Sequence, residues 1–137
     1  MLANGATLGY KEAGGGSTYI ILKGLKEIPD MGTEPEKVEN TPLDAEVKQY
    51  ENGIGDAGDM TYKFIYDNTE ATSPYRVMRQ AQADGKTLSF EETLKDGTKS
   101  RYDAQVSVKR TGGAVNGVIE FELAMSLQSN ITFVDPV

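Results

Sequence analysis

The sequence predicts a mainly β protein: an antiparallel β-sandwich or partly closed barrel of about seven or eight strands, with one packed α-helix and a long acidic loop. Three observations predict it. Apolar residues alternate with a period of two through most of the second half. One short stretch of helical spacing is bracketed by a Ser-Pro start and an Asp-Gly stop. A long acidic run in the middle, rich in Pro and Gly, follows neither period. At 137 residues the chain, 1–137, is the size of a single domain with one modest core.

The elements follow in order. Residues 1–16 end in Gly14-Gly15-Gly16 and are expected to be a flexible N-terminal arm hinged at that triplet. The triplet is not a phosphate cradle, because Ser17-Thr18 leads into a strand rather than a helix. Thr18 to Lys23 reads as a short, largely buried strand. Residues 30–58 carry Pro35, Pro42, Gly53, Gly55 and Gly58, and read as one long loop, mobile in an isolated protomer and ordered when something binds it. Met60, Tyr62, Phe64 and Tyr66 then alternate with Thr61, Lys63 and Ile65, giving a strand with an aromatic face.

Ser73-Pro74 supplies an N-cap and a first-turn proline, and Asp84-Gly85 a stop, so the spacing predicts a helix over 74–83. Its stripe of Tyr75, Val77, Met78, Ala81 and Gln82 is expected to cover an open end or face of the sheet. Leu88, Phe90 and Leu94 resume the period of two, with Glu92 as an interruption. Lys95-Asp96-Gly97-Thr98 makes the hairpin turn, since Asp-Gly tolerates positive φ. Tyr102, Ala104, Val106 and Val108 form the next apolar face. After the breaks at Gly112-Gly113 and Asn116-Gly117, Ile119, Phe121, Leu123, Met125 and Leu127 form the last. Residues 130–137 are a short C-terminal extension.

Composition narrows the function. There is no Cys and no His. A disulfide framework, a thiolate nucleophile, a Cys-ligated metal and a Ser-His-Asp triad are therefore excluded. Carboxylates remain as catalytic candidates, but Glu91-Glu92 point to opposite faces of a strand and read as solvated surface groups. Glu120 and Glu122, about 7 Å apart on one face, match the polar side of a sheet better than a glycosidase pair. Asp56-Ala57-Gly58-Asp59 lacks the ligand count of a calcium loop. The reading is of a non-enzyme without metal or cofactor. No apolar run approaches the roughly 20 residues of a membrane span. The N-terminus lacks the basic flank and apolar stretch of a secretory signal, so synthesis and residence in a cytoplasm are expected.

The net charge is −7, from 14 Lys+Arg against 21 Asp+Glu. Residues 27–70 hold twelve acids against three lysines, whereas residues 71–137 hold eight of each sign. Such a chain does not hold nucleic acid by neutralising phosphates. A small sheet protein with open edges, a glycine-hinged arm and a long acidic loop invites pairing between copies through two different surfaces, which closes a ring or propagates a filament. The alternative is a monomeric adhesion or carbohydrate-binding β-sandwich module, in which Tyr62 and Tyr66 stack on sugars.

The layout of the whole chain resembles a known family. It runs from Gly-Ala-Thr-Leu-Gly-Tyr as an entry strand through Leu25-Lys26-Glu27-Ile28-Pro29 and Val38-Glu39-Asn40-Thr41-Pro42-Leu43-Asp44. Tyr50-Glu51-Asn52-Gly53-Ile54-Gly55-Asp56-Ala57-Gly58-Asp59 then runs into the aromatic strand, followed by the Ser73-Pro74-Tyr75-Arg76 helix and the terminal meander. This is similar to the tail tube proteins of long-tailed, non-contractile bacteriophages, in the group related to the N-terminal domain of the phage lambda major tail protein.

The resemblance implies a structural virion protein, assembled in the host bacterial cytoplasm, that forms hexameric rings around a lumen wide enough for duplex DNA and stacks them into the tail. It implies tape measure protein inside the tube, tail terminator and distal tail or tip proteins at its ends, and DNA passing without specific binding. Residues 1–16, 30–58 and 130–137 match the segments that bridge subunits or rings. Within the long loop, Glu34, Glu36, Glu39, Asp44, Glu46, Tyr50, Glu51 and Asp56 are the inter-ring candidates. Asp103, Glu120 and Glu122 are the lumen-lining candidates, because wall carboxylates repel a polyanion.

Overall fold

The computed structural model describes residues 1–16, 18–32, 34–39, 41–44, 46–47, 50–56 and 60–136, with the backbone alone at 34–38 and 50–56. It has the predicted class: mainly β, antiparallel, with a single described helix. In chain order the elements are β1 (Thr7–Glu12), β2 (Ile20–Leu22), β3 (Leu25–Glu27), β4 (Glu34–Glu39), β5 (Tyr50–Asp56) and β6 (Met60–Ile65). They continue as α1 (Pro74–Asp84), β7 (Thr87–Thr93), β8 (Lys99–Thr111), β9 (Glu120–Leu127) and β10 (Thr132–Val134).

The main sheet has eight strands, in the order β2-β1-β7-β8-β9-β6-β3, with β10 added to β8. Its two ends, β2 and β3, are consecutive in the chain and separated only by Lys23-Gly24. The sheet therefore curls until its edges meet through a covalent corner rather than through a hydrogen-bonded ladder, and it is not a closed barrel. Gly24 takes φ +86° at that corner, and its carbonyl accepts from the Ile65 amide at 2.8 Å.

The period of two becomes the core directly. Met60, Tyr62 and Phe64 of β6, Leu88 and Phe90 of β7, Tyr102, Ala104 and Val106 of β8, and Phe121, Leu123 and Met125 of β9 are all buried. Burial of such side chains stabilises by about 1.5–3 kcal/mol each.

The helix starts at Pro74 as predicted and runs one residue further, to Asp84. Ser73 does not cap it through its side chain; its hydroxyl oxygen instead accepts from the Glu70 amide at 3.0 Å. Gly85, at φ +65°, ends the helix, its amide donating to the Gln82 carbonyl while the Lys86 amide donates to Ala81. Met78 and Ala81 face the core. β7 pairs with β8 only over residues 99–105. Beyond that, the helix covers the edge β7 leaves, where the Gln82 side-chain oxygen accepts from the Val108 amide at 2.9 Å. That is the role expected of the apolar stripe.

Four expectations need correction. Residues 1–16 are not one arm: Thr7–Glu12 lies between β2 and β7, with Leu8 fully buried, and Gly14–Gly16 belongs to the turn into β2. The strand over Thr18–Lys23 shortens to Ile20–Leu22 and is not largely buried; Ile20 and Ile21 are 57% and 53% exposed because it is an end strand. The stretch read as one long loop holds an antiparallel pair, β4 with β5, whose register shifts between Pro35 and Lys37. Residues 130–137 include β10, which pairs with Lys99–Arg101 and lengthens the line of β9.

Candidate functional site

The lumen-lining candidates share the outer face of the main sheet, because each alternates with buried neighbours. Asp103 lies between Tyr102 and Ala104, and Glu120 and Glu122 flank Phe121. They do not form one cluster. Glu120 lies opposite Thr111, eight residues along β8 from Asp103, or about 27 Å at strand rise.

Each is partnered. Glu120 is ion-paired with Lys26 of β3. Glu122 stands in register between Lys109 of β8 and Lys63 of β6, and the ion pair of Lys63 is with Glu27, at 3.4 Å. The Ser89 hydroxyl donates to Asp103 at 2.6 Å. Glu91 is held by Arg101 at 2.7 Å and Lys99 at 3.8 Å.

Across β6, β7, β8 and β9 the outer face thus carries Glu91, Asp103, Glu120 and Glu122 against Lys63, Lys99, Arg101 and Lys109. It is charge-balanced, and every cation on it stands beside a carboxylate. Composition shows the acidic excess but not that this face lacks it; the cross-strand register is what reveals the compensation.

The acidity lies elsewhere. Residues 34–56 hold Glu34, Glu36, Glu39, Asp44, Glu46, Glu51 and Asp56 against Lys37 and Lys48, a net of −5 of the chain's −7. Their two strands form a separate sheet that pairs with no strand of the main one. Glu39, Asp44 and Glu46 are exposed, as are Leu43 and Val47 between the strands. The side chains of Glu34, Glu36, Tyr50, Glu51 and Asp56 lie outside the described residues, as do Ala57, Gly58 and Asp59 of the rejected calcium loop.

Two other expectations change. Glu92 is not a solvated surface group: it is 5% exposed and accepts a hydrogen bond from Tyr62. The aromatic pair of the sugar-binding alternative offers no platform. Tyr62 is fully buried, and the Tyr66 ring packs against Tyr75 with centroids 4.8 Å apart. Among the described residues, no cluster of three or more carboxylates is placed to hold a metal ion, and no helix is long and apolar enough to cross a membrane.

Residues 1–122 match the model of a family described as phage tail tube, TTP, lambda-like. No curated protein matches the chain. Among solved structures, the chain is similar to one in the C6-symmetric tail of an empty gene transfer agent particle, at 20% identity and TM-score 0.72, covering 96% of this chain and 98% of that one. A chain of the native gene transfer agent virion gives 18% identity and TM-score 0.71, with 98% of both covered. A chain of the six-fold symmetrised baseplate of the anti-feeding prophage gives TM-score 0.75 at 8% identity, covering 98% and 95%. At these identities the likeness is one of fold.

Proposed function

The chain belongs to the lambda-like phage tail tube family, a structural family of the virion tail, and from that premise we propose that it polymerises as stacked hexameric rings into a tube through which DNA leaves the particle. The observation that carries the reading is the match of residues 1–122 to that family. Its whole-chain likeness to folds that occur in six-fold tail and baseplate assemblies supports it.

The chemistry agrees. A conduit for a polyanion works only if its wall holds no uncompensated cations, because each lysine that binds a phosphate releases a counterion and gains affinity. With Lys63, Lys99, Arg101 and Lys109 each beside a carboxylate, the outer face of β6 to β9 meets that condition, and Asp103, Glu120 and Glu122 are the acids that would face the lumen. Six copies at −7 make a ring strongly negative as a whole, and screening limits the reach of that charge to roughly 8 Å.

In this reading residues 30–58 act as the inter-ring arm, with the residues before β1 and those around β10 as secondary contacts. The arm carries most of the net charge, and its strands are not needed to complete the main sheet. Tape measure protein would occupy the lumen before DNA, terminator and distal tail proteins would cap the ends, and assembly would take place in the host cytoplasm. The test is sedimentation and negative-stain microscopy of the purified chain over rising concentration. Growth into hollow filaments is expected; a monomer at every concentration overturns the reading.

A further inference from the structure

Glu92 lies on the inward side of β7, 5% exposed, opposite Leu8 of β1 and Ser100 of β8. The Tyr62 hydroxyl of β6 donates to its Oε2 at 2.6 Å, and the Tyr102 hydroxyl of β8 donates to the Tyr62 oxygen at 2.8 Å. In the sheet, β8 and β9 separate β6 from β7. The three groups therefore cross the interior and tie opposite walls of the curled sheet.

Among the described residues no cation answers this carboxyl. Every ion pair among the described residues goes to another acid, and the adjacent Glu91 points outward to Arg101 and Lys99. The titratable groups that face Glu92 are Tyr62 from β6 and Tyr102 from β8, both neutral; β1 presents Leu8 and β8 also Ser100. An ionised carboxylate with no counter-charge in such a place is costly, and the group responds by holding its proton. Burial raises its pKa, and the Tyr62 hydrogen bond offsets this only in part. The chain has no histidine to titrate in the mildly acidic to neutral range.

We propose that Glu92 is a proton-gated strut. Protonated, it lets the β6 and β7 walls close over a neutral group that still accepts from Tyr62; ionised, it sets an uncompensated charge between those walls, at a desolvation cost that the Tyr62 hydrogen bond offsets only in part, and loosens them. The sign follows from linkage. A carboxyl whose folded pKa lies above its unfolded one adds stability that is complete below the unfolded pKa and lost as pH rises through the folded one. This inference does not depend on the tube reading.

The test compares denaturant unfolding of the full chain with that of Glu92→Gln, which mimics the neutral form, at intervals from pH 4 to 9. The ratio of the wild-type folding constant to that of the variant should fall with rising pH, by up to about tenfold per unit. A ratio constant across the range overturns the proposal. Infrared spectra of the wild type give a second readout. As pH rises through the carboxylate range, one protonated carboxyl band should outlast those of the ordinary glutamates and be missing in Glu92→Gln. Loss of every carboxyl band together with those of the ordinary glutamates also overturns the proposal.

Discussion

The rings of Phe64 and Phe121 stack with centroids 5.2 Å apart and planes 8° from parallel, and the two residues are directly opposite in the β6–β9 register. Both are fully buried, and Tyr75 of the helix packs on Phe121 at 5.4 Å. The contact joins the sheet to the helix that covers its edge. Phe121→Ala should cost about 3–5 kcal/mol by leaving a cavity beneath the helix, and Phe121→Leu less. Denaturant unfolding checks this; a cost under about 1 kcal/mol would mean that the site collapses freely.

Gln82 accepts the Val108 amide on the stretch of β8 that β7 leaves unpaired. Gln82→Ala should cost about 1 kcal/mol and expose a free strand edge. Gln82→Glu, which keeps an acceptor, should cost less. Amide exchange at Val108 reads the bond directly and should quicken in the alanine variant alone.

Gly85 holds φ +65°, and a Cβ built there meets nothing within 4 Å. A substitution at this position therefore reports backbone strain without a clash. Gly85→Ala should lower stability by about 1 kcal/mol and Gly85→Asn by less, since asparagine tolerates the left-handed region. Thermal unfolding of the three chains should rank them in that order.

The β4–β5 pair is a two-stranded sheet, a size that is marginal by itself in water. Its amides should exchange much faster than those of β8 and β9 in the isolated protomer and gain protection in the assembled tube. Replacing residues 34–56 by a short linker should leave a folded body with unchanged β signal that no longer forms filaments. Filaments of normal length from that deletion would remove the arm from the account.

Much of this fold is legible in the sequence where one face of an element is buried. β6, β8 and β9 show a clean period of two because the curled sheet buries their inner side chains, and α1 is bracketed by Ser73-Pro74 and Gly85. β1 escapes because Gly9 interrupts its alternation. A Cβ at Gly9 would come within 2.9 Å of the Tyr19 Cβ, so the glycine marks a close approach of β2 rather than a flexible arm. Glu92 escapes because a carboxylate in a strand normally signals the outer face, and only the distant Tyr62 satisfies it inside. β4 and β5 escape because Pro35, Gly53 and Gly55 break the pattern, and β10 because three residues carry too little of it. At the candidate site, composition gives the acidic balance of the chain, but the pairing of Lys26 with Glu120 spans 94 positions and depends on the closing of the sheet.

The most direct test of the central claim is cryo-electron microscopy of the assembled chain viewed along its axis. The account predicts six-fold averages with an open centre wide enough for a DNA duplex, lined without unpaired lysine or arginine. A different symmetry, a filled centre or a wall of free cations would contradict it.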